Sequence, residues 1–292
     1  MATPSPTDAT AATDAVATPV SEPDAPTRRQ ATLTRNGRTI GMVWQRELIR
    51  LRRTPTRIVT GLAQPIIFLF ILGAGLGSLI QQGLPGGLDY QEFLFPGILS
   101  MSIITSALFS AVSIVWDREF GFMREMLVAP VSRTSIVLGK ALGGGTVAVV
   151  QGLILVVAAP IIGVDLTVGR LLLLIVSLLL LAYAMTAFGI VLATRIERME
   201  SFQMVMTLVL QPMIFLSGAV FPLQNLPTWL AVITHLNPAT YAVDLVRRSV
   251  LPDAVGVEIG GWVVPMWAEA ALVLSIGTGL LALAVRLFNR TD

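Results

Sequence analysis

Cysteine is absent from this chain of 292 residues, and His235 is its single histidine. The lack of thiols excludes disulfides, thiolate metal sites and cysteine nucleophiles. One imidazole argues against a metal cluster and against a histidine-based catalytic triad. We therefore predict a protein that is not an enzyme and that holds no metal or other cofactor of its own.

Charged side chains are scarce, at 13% of the residues, whereas hydrophobic residues make up 54%. A soluble core of this length cannot bury so much apolar surface, so we predict that the excess faces lipid. Crossing about 30 Å of hydrocarbon takes roughly 20 uncharged residues. Six segments qualify, at residues 58–80, 93–116, 141–164, 171–194, within 201–234, and 265–285. The predicted fold is an all-α polytopic membrane protein with six transmembrane helices.

Asp, Glu, Lys and Arg are missing from the first five predicted spans, and Glu269 lies near the start of the sixth. Ion-coupled transporters place such groups near the middle of the membrane, so the energy of a pump with this composition should come from elsewhere. Gly139-Lys140 lacks the spacing of a phosphate-binding loop, because Thr134 and Ala141 occupy the required Gly and Ser or Thr positions. No nucleotide site is predicted in this chain.

Positive charge is distributed unevenly between the loops. Our assignment places 17 of the 20 Lys and Arg residues on the cytoplasmic side, and only Arg170, Arg247 and Arg248 outside. Both termini are therefore predicted to be cytoplasmic. The abundance of Arg over Lys, 19 to 1, hints at a bacterial genome, so the predicted location is a bacterial plasma membrane. The basic residues flank the spans instead of forming a patch on a soluble domain, so membrane lipid is the predicted partner and nucleic acid is not.

The N-terminal region before the first span divides into two parts. Residues 1–39 are predicted to be a disordered cytoplasmic tail, since residues 1–27 contain no aromatic side chain and no core-forming pattern. The transmembrane domain follows at 40–292. It begins with a predicted amphipathic elbow helix, in which apolar residues recur at helical spacing and basic residues suit lipid phosphates. Its candidate functional residues are Trp44, Arg46, Glu47 and Arg50. A generic basic flank is the alternative.

Hydrophobic residues and prolines alternate between residues 218 and 265. This pattern predicts short re-entrant helices that dip into the outer leaflet between spans five and six. Asp244 and Arg247 lie three residues apart and are predicted to form an ion pair on one of these helices.

The loop that follows the second span carries the most information. Its apolar residues form two helical rows, namely Phe120, Met123 and Leu127, and Phe122 with Met126. A short helix with apolar residues around most of its surface needs a partner, which is either another protein or the bundle itself. Pro130 ends this helix, and Ser132 is placed to cap the third span.

This loop resembles the coupling segment of ABC-2 type permeases, the membrane subunits of ATP-driven exporters such as the daunorubicin-resistance-like ones. The matching elements are Asp117-Arg118-Glu119, Gly121, Leu127 and Pro130-Val131-Ser132-Arg133, followed by Leu138-Gly139-Lys140. Further matches are Leu216-Ser217-Gly218 with Phe221-Pro222, and Leu236-Asn237-Pro238 with Tyr241 and Asp244. The resemblance extends from about residue 40 to residue 287.

The resemblance implies an assembly of two permeases, expected to be a homodimer, with two separate ATPase subunits that hold ATP and Mg. It implies that the ATPase-coupling residues are Asp117, Arg118, Glu119, Phe120, Gly121, Phe122, Met123 and Leu127. It also implies that the first, second and fifth spans line the transport route, where the polar candidates are Gln64, Ser102, Thr105, Ser106, Thr207 and Gln211. The alternative for the hydroxyls is a bond to their own helix carbonyls.

The expected function is export of a hydrophobic or amphipathic compound such as an antibiotic, a drug or a lipid, with antibiotic resistance as one outcome. Export of a polysaccharide or glycolipid is the runner-up. A carbohydrate route should present aromatic rings and many hydrogen-bonding groups, and the sequence shows no obvious ladder of aromatic residues. A membrane anchor without transport activity is a remote alternative.

Overall fold

The computed structural model of the protein describes residues 28–80, 90–121, 132–221, 223, 227–251, 256–259 and 262–290. This part of the chain is nearly all helical, as predicted. The helices are α1 (Arg28–Arg53), α2 (Pro55–Ile80), α3 (Tyr90–Ser110), α4 (Val112–Glu119), α5 (Arg133–Val156), α6 (Val168–Arg195), α7 (Met199–Leu216), α8 (Thr228–Leu236), α9 (Pro238–Val250) and α10 (Met266–Arg290), with a 3₁₀ turn at Ala159–Ile162.

A small antiparallel hairpin is the exception to the helical fold. Its strands β1 (Glu258–Ile259) and β2 (Trp262–Val263) pair Glu258 with Val263 and Ile259 with Trp262. The hairpin and helices α8 and α9 occupy the region for which we predicted re-entrant helices. The prediction of a fold without strands is therefore corrected at this one place.

Five helical segments are long and apolar enough to cross a membrane, namely Tyr90–Glu119, Arg133–Val156, Val168–Arg195, Met199–Leu216 and Met266–Arg290. A sixth results if Arg35–Arg53 and Ile58–Ile71 are counted together, although these two segments are bent by 70°. The bend falls where Pro55 follows α1, because proline has no N–H to continue the hydrogen bonds of that helix. The described residues thus contain five to six candidate spans, in agreement with a polytopic membrane protein.

The first helix starts earlier than the predicted domain boundary. We expected the tail to extend to residue 39, but α1 begins at Arg28. Residues 1–27 lie outside the described part of the chain.

Helix α3 is the centre of the bundle. Its residues Leu94, Leu99, Ile103 and Leu108 are fully buried, and it packs against α2, α5, α6 and α9. A helix that is hydrophobic around its whole circumference is typical of such a central position. In contrast, α7 and α10 lie at the outside and keep broad exposed faces.

Two glycines bring α5 close to α1. A Cβ atom added at Gly139 would lie 2.7 Å from Cβ of Val43, and one at Gly143 would lie 2.8 Å from Cβ of Glu47. Small residues four positions apart allow such close helix packing in membranes. The glycine of the Gly139-Lys140 stretch therefore serves helix packing.

We predict that Gly97→Ala destabilises the protein by about 1–3 kcal/mol, because overpacking forces backbone shifts. A Cβ atom at this position on α3 would overlap the backbone carbonyl oxygen of Ala219, just after α7. Gly75→Ala on α2 is the matched control, since a Cβ atom there meets open space. Thermal unfolding in detergent measures both variants. Equal unfolding temperatures for the two variants would contradict the prediction.

Candidate functional site: a coupling end and an exposed transport helix

Asp117 is buried at the end of the bundle where α4 stops. Lys140 Nζ donates to its Oδ2 at 2.6 Å and Arg46 donates to its Oδ1 at 3.3 Å. Lys140 also donates to the Ser113 hydroxyl at 3.1 Å. We call Arg46, Ser113, Asp117 and Lys140 the Asp117 cluster. It ties α1, α4 and α5 together.

The position of this cluster corrects two predictions. We expected Asp117 to lie in the loop after the second span and the uncharged part of the third span to begin at residue 141, but Asp117 lies in the last turn of α4 and α5 begins at Arg133. Lys140 is therefore inside a candidate span, where its paired partner offsets the cost of burying its charge. The start of α5 was detectable from sequence, because the predicted cap at Ser132 is confirmed: its Oγ accepts from the Ser135 N–H at 3.2 Å.

The next two residues contact two other helices. Arg118 donates to the backbone carbonyls of Thr194 and Ile196, at 3.2 and 3.3 Å, at the end of α6. Glu119 accepts a hydrogen bond from the Met199 N–H at 3.0 Å, at the start of α7. These contacts satisfy backbone groups that a helix terminus leaves without partners. The last turn of α4 is therefore joined to α1, α5, α6 and α7, and we call this region the coupling end.

Two aromatic rings remain exposed beside these anchored residues. Trp116 and Phe120 are 46% and 57% exposed, and their ring centroids are 4.9 Å apart. Gly121 follows with a φ of +79°, a conformation that favours glycine and turns the chain sharply. The remaining predicted coupling residues, Phe122, Met123 and Leu127, lie outside the described residues.

The predicted elbow residues lie on α1, which packs along α5. Trp44 donates from Nε1 to the Thr146 hydroxyl at 3.1 Å but keeps much of its ring exposed. Arg50 lies 3.8 Å from the Glu47 carboxylate, and Arg46 belongs to the Asp117 cluster. Of the predicted elbow residues, only Arg46 therefore contacts the coupling end directly, whereas Trp44 bonds to α5 and Glu47 pairs with Arg50 within α1.

The predicted route residues fall into two groups. Thr207 and Gln211 lie together on the exposed face of α7 and Gln64 is exposed on α2, whereas Ser102 is buried inside the bundle. Thr105 is half-buried and donates to the Met101 carbonyl at 2.8 Å, which is the alternative expected for these hydroxyls. Ser106 is half-buried beside it.

An open space of about 840 Å³ lies along the exposed face of α7, and we call it the α7 groove. It is lined by Glu200, Gln203, Met204, Thr207, Leu208, Gln211 and Pro212. Sequence reasoning found only Thr207 and Gln211 among these. Glu200, Gln203, Thr207 and Gln211 are spaced three or four residues apart, which places them on one helix face. This spacing is the sequence signal that could have identified Glu200 and Gln203.

A second network of buried charges lies at the opposite end, beside the hairpin. Arg248 donates to Asp244 at 2.7 Å, to Glu269 at 2.9 Å and to the Val264 carbonyl at 2.9 Å. We predicted an Asp244–Arg247 pair, and this was wrong. Arg248, four residues after Asp244, forms the ion pair instead. The Arg247 guanidinium donates to the Gly218 carbonyl at 2.6 Å and lies 4.7 Å from the Phe93 ring centroid.

Tyr241 on α9 adds a hydrogen bond at this end by donating to the His235 carbonyl at 2.9 Å. Burial raises the pKa of its phenol above the ordinary value, and the negative charge of Glu269 raises that pKa further. The phenol therefore remains a protonated donor at neutral pH. Among the described residues, no cluster of His, Asp and Glu is placed to hold a metal ion.

Together, the apolar helices define a multi-pass membrane protein. The profile of the ABC-2 type transporter family matches residues 38–251, most of the chain. The chain therefore belongs to the ABC-2 type transporter family, as its motifs indicated. Members of this family are membrane transport components and are not themselves catalytic.

Similar proteins agree with this assignment. The chain is 32% identical over 212 residues to a putative transport permease ycf38 of Cyanophora paradoxa. The aligned region covers 70% of this chain and 71% of that protein. It is also 32% identical over 229 residues to nodulation protein J of Rhizobium leguminosarum bv. viciae, with 77% and 87% covered. For nodulation protein J of Rhizobium meliloti the identity is 32% over 254 residues, with 83% and 95% covered.

Proposed function

We propose that this chain is the permease subunit of an ATP-binding-cassette exporter in a bacterial plasma membrane. A separate ATPase subunit, which holds ATP and Mg, docks on the segment that starts at Trp116 and Phe120. The cargo is a hydrophobic or amphipathic compound such as an antibiotic, a drug or a lipid. The observation that carries this proposal is the coupling end, where residues anchored to four helices stand next to exposed aromatic rings.

The coupling end faces the cytoplasm in this proposal. Its support is the excess of Lys and Arg on that side. The tryptophans support the same orientation of the bundle, since Trp44 and Trp116 are exposed at the coupling end while Trp229, Trp262 and Trp267 are exposed around α8, the hairpin and the start of α10. Tryptophan prefers the two membrane interfaces, so these two groups would mark the inner and outer boundaries.

Coupling then follows from the contacts of the last turn of α4. Closure of the ATPase pair would push on the segment after Phe120. Asp117 would transmit that push to α1 and α5, Arg118 to α6, and Glu119 to α7. A second copy of the chain would complete the route, with the exposed faces of α2 and α7 turned toward it. The remote alternative, a membrane anchor, requires none of these contacts to move.

The test is Phe120→Asp, which places a charge on the proposed docking surface without removing a contact inside the bundle. We expect binding of the ATPase, measured by co-purification with tagged ATP-binding-cassette ATPases of the source genome, to fall by at least about tenfold, because exposed aromatic anchors dominate interfaces. ATP-dependent transport should fall with it. Insertion and thermal stability should be unchanged.

Trp262→Asp provides the matched control, since this exposed aromatic residue lies in the hairpin at the other end. It should leave ATPase binding intact. Glu119→Arg is a less clean test, because Glu119 also caps the start of α7. Normal ATPase binding and transport by a well-expressed Phe120→Asp permease would refute the assignment of the docking surface.

A further inference from the structure

The exposed face of α7 carries two parallel rows of side chains. One row is polar and consists of Glu200, Gln203, Thr207 and Gln211, all exposed. The other is apolar and consists of Met204, Leu208 and Phe215, which are 74%, 75% and 49% exposed. At 3.6 residues per turn the two rows are roughly 75° apart around the helix. The groove is thus amphipathic along its length.

Plain contact with lipid does not explain the polar row. The exposed face of α10 shows what a lipid-facing helix of this protein looks like, because its hydroxyls at Ser275 and Thr278 donate to their own helix carbonyls at 2.8 and 2.7 Å. In the part of the chain that the structure describes, the Gln203 and Gln211 amides have no such partner. Polar groups without partners are costly in hydrocarbon, so these side chains require a polar occupant.

The groove offers hydrogen-bond donors and acceptors but no cation, since the Gln203 and Gln211 amides each supply N–H donors and a carbonyl acceptor. Thr207 donates its proton to the Gln203 carbonyl at 3.0 Å, which leaves its oxygen lone pairs free to accept. Pro212 has no N–H, so the Leu208 carbonyl lacks the donor that normally lies four residues on. Glu200 adds a carboxylate, and none of the residues that line the described groove is Lys, Arg or His. Hydroxyl groups fit these donors and acceptors, and amine groups fit the acceptors and the carboxylate. A phosphate or carboxylate group would face the Glu200 charge with no cation in the lining to balance its own.

We infer that the α7 groove binds an amphiphile with a neutral or cationic head rich in hydroxyl or amine donors, and excludes amphiphiles with anionic heads. The head lies along the polar row and the apolar body along Met204, Leu208 and Phe215. This inference rests on the proposed export function, and it narrows the cargo within that function.

The natural absence of cysteine allows a direct binding test. Leu208→Cys introduces a single thiol in the groove, and the full chain is reconstituted in phospholipid nanodiscs. The measurement is the rate at which a maleimide labels this thiol in the presence of dodecyl maltoside, dodecylamine or dodecyl phosphate, each below its micellar concentration. We expect the first two to slow labelling and dodecyl phosphate to leave it unchanged. Leu274→Cys on the exposed face of α10 should be labelled at the same rate with all three probes.

Further variants connect protection to named side chains. Gln203→Leu combined with Gln211→Leu should raise the dodecyl maltoside concentration for half-protection about tenfold, as expected for two lost hydrogen bonds. Ser275→Ala is the control, because its hydroxyl serves only its own helix. Glu200→Gln should weaken protection by dodecylamine and leave protection by dodecyl maltoside nearly unchanged.

Equal protection by dodecyl phosphate would overturn the inference. A lack of protection by any of the three probes would also overturn it. A disulfide between two copies at position 208 that blocks labelling would overturn it as well, because it would identify this face as a contact between copies. None of these readouts involves an ATPase. If the labelling experiment fails but Phe120→Asp still loses ATPase binding, the α7 groove inference is refuted and the proposed export function is still supported.

Discussion

Asp117→Leu is expected to destabilise the permease by about 3–5 kcal/mol, the usual effect of removing one partner from a buried ion pair. The side chains of Asp117 and Lys140 are only 3% and 4% exposed. After the substitution the Lys140 ammonium would retain only the Ser113 hydroxyl. Lys140→Met should be milder, because Asp117 keeps its contact with Arg46.

Thermal unfolding of the purified protein, followed by size exclusion with fluorescence detection, measures this effect. A loss of this size should lower the unfolding temperature by roughly 10 °C for a chain of this length. The double variant Asp117→Leu with Lys140→Met should recover much of the loss, since it leaves no buried ammonium unpaired. Glu197→Gln, which changes an exposed carboxylate outside this pair, is the control. A single variant that unfolds at the wild-type temperature would show that the pair is not formed.

Arg248→Met should have an effect of similar size at the other end of the bundle, about 3–5 kcal/mol. Its guanidinium is the shared partner of Asp244 and Glu269, and the Glu269 side chain is fully buried. Without the cation, two buried carboxylates would face each other and the Val264 carbonyl would lose its donor. Arg248→Lys should be intermediate, because an ammonium cannot match the fork geometry of guanidinium.

The same unfolding assay tests this prediction, with Arg286→Met as control because that arginine is exposed on α10. The contacts of Arg248 join α9 and α10 through the chain beside the hairpin, so limited proteolysis should also cleave the hairpin region faster in Arg248→Met. An unfolding temperature equal to that of Arg286→Met would argue that the network contributes little.

Helix α7 is held at both ends by side chains from other elements. Glu119 accepts from its first N–H, and Asn237 donates to the Met213 carbonyl at 2.8 Å near its end. Arg247 holds the Gly218 carbonyl just beyond it. The exposed groove lies between these two anchored ends. This arrangement suits a helix that moves as a rigid unit while its free face contacts cargo.

Local sequence features were sufficient to identify the class of protein. Length and hydropathy identified the spans because each span is a local property of about 20 consecutive residues. The loop motif identified the family, and the cap at Ser132 was correctly located from its residue type and position. The uncharged segments of the first and third spans begin later than their helices, because helix ends extend past the apolar core into residues such as Arg133 and Lys140.

Pairing between distant residues could be determined only from the folded chain. Arg46 and Asp117 are 71 positions apart, and Arg248 and Glu269 are 21 apart, so no local pattern joins them. The packing of neighbouring helices also determines that Lys140 is buried and that Arg248, and not Arg247, pairs with Asp244. The exposure of the α7 groove has the same origin, because a helix face becomes a surface only when the rest of the bundle packs elsewhere.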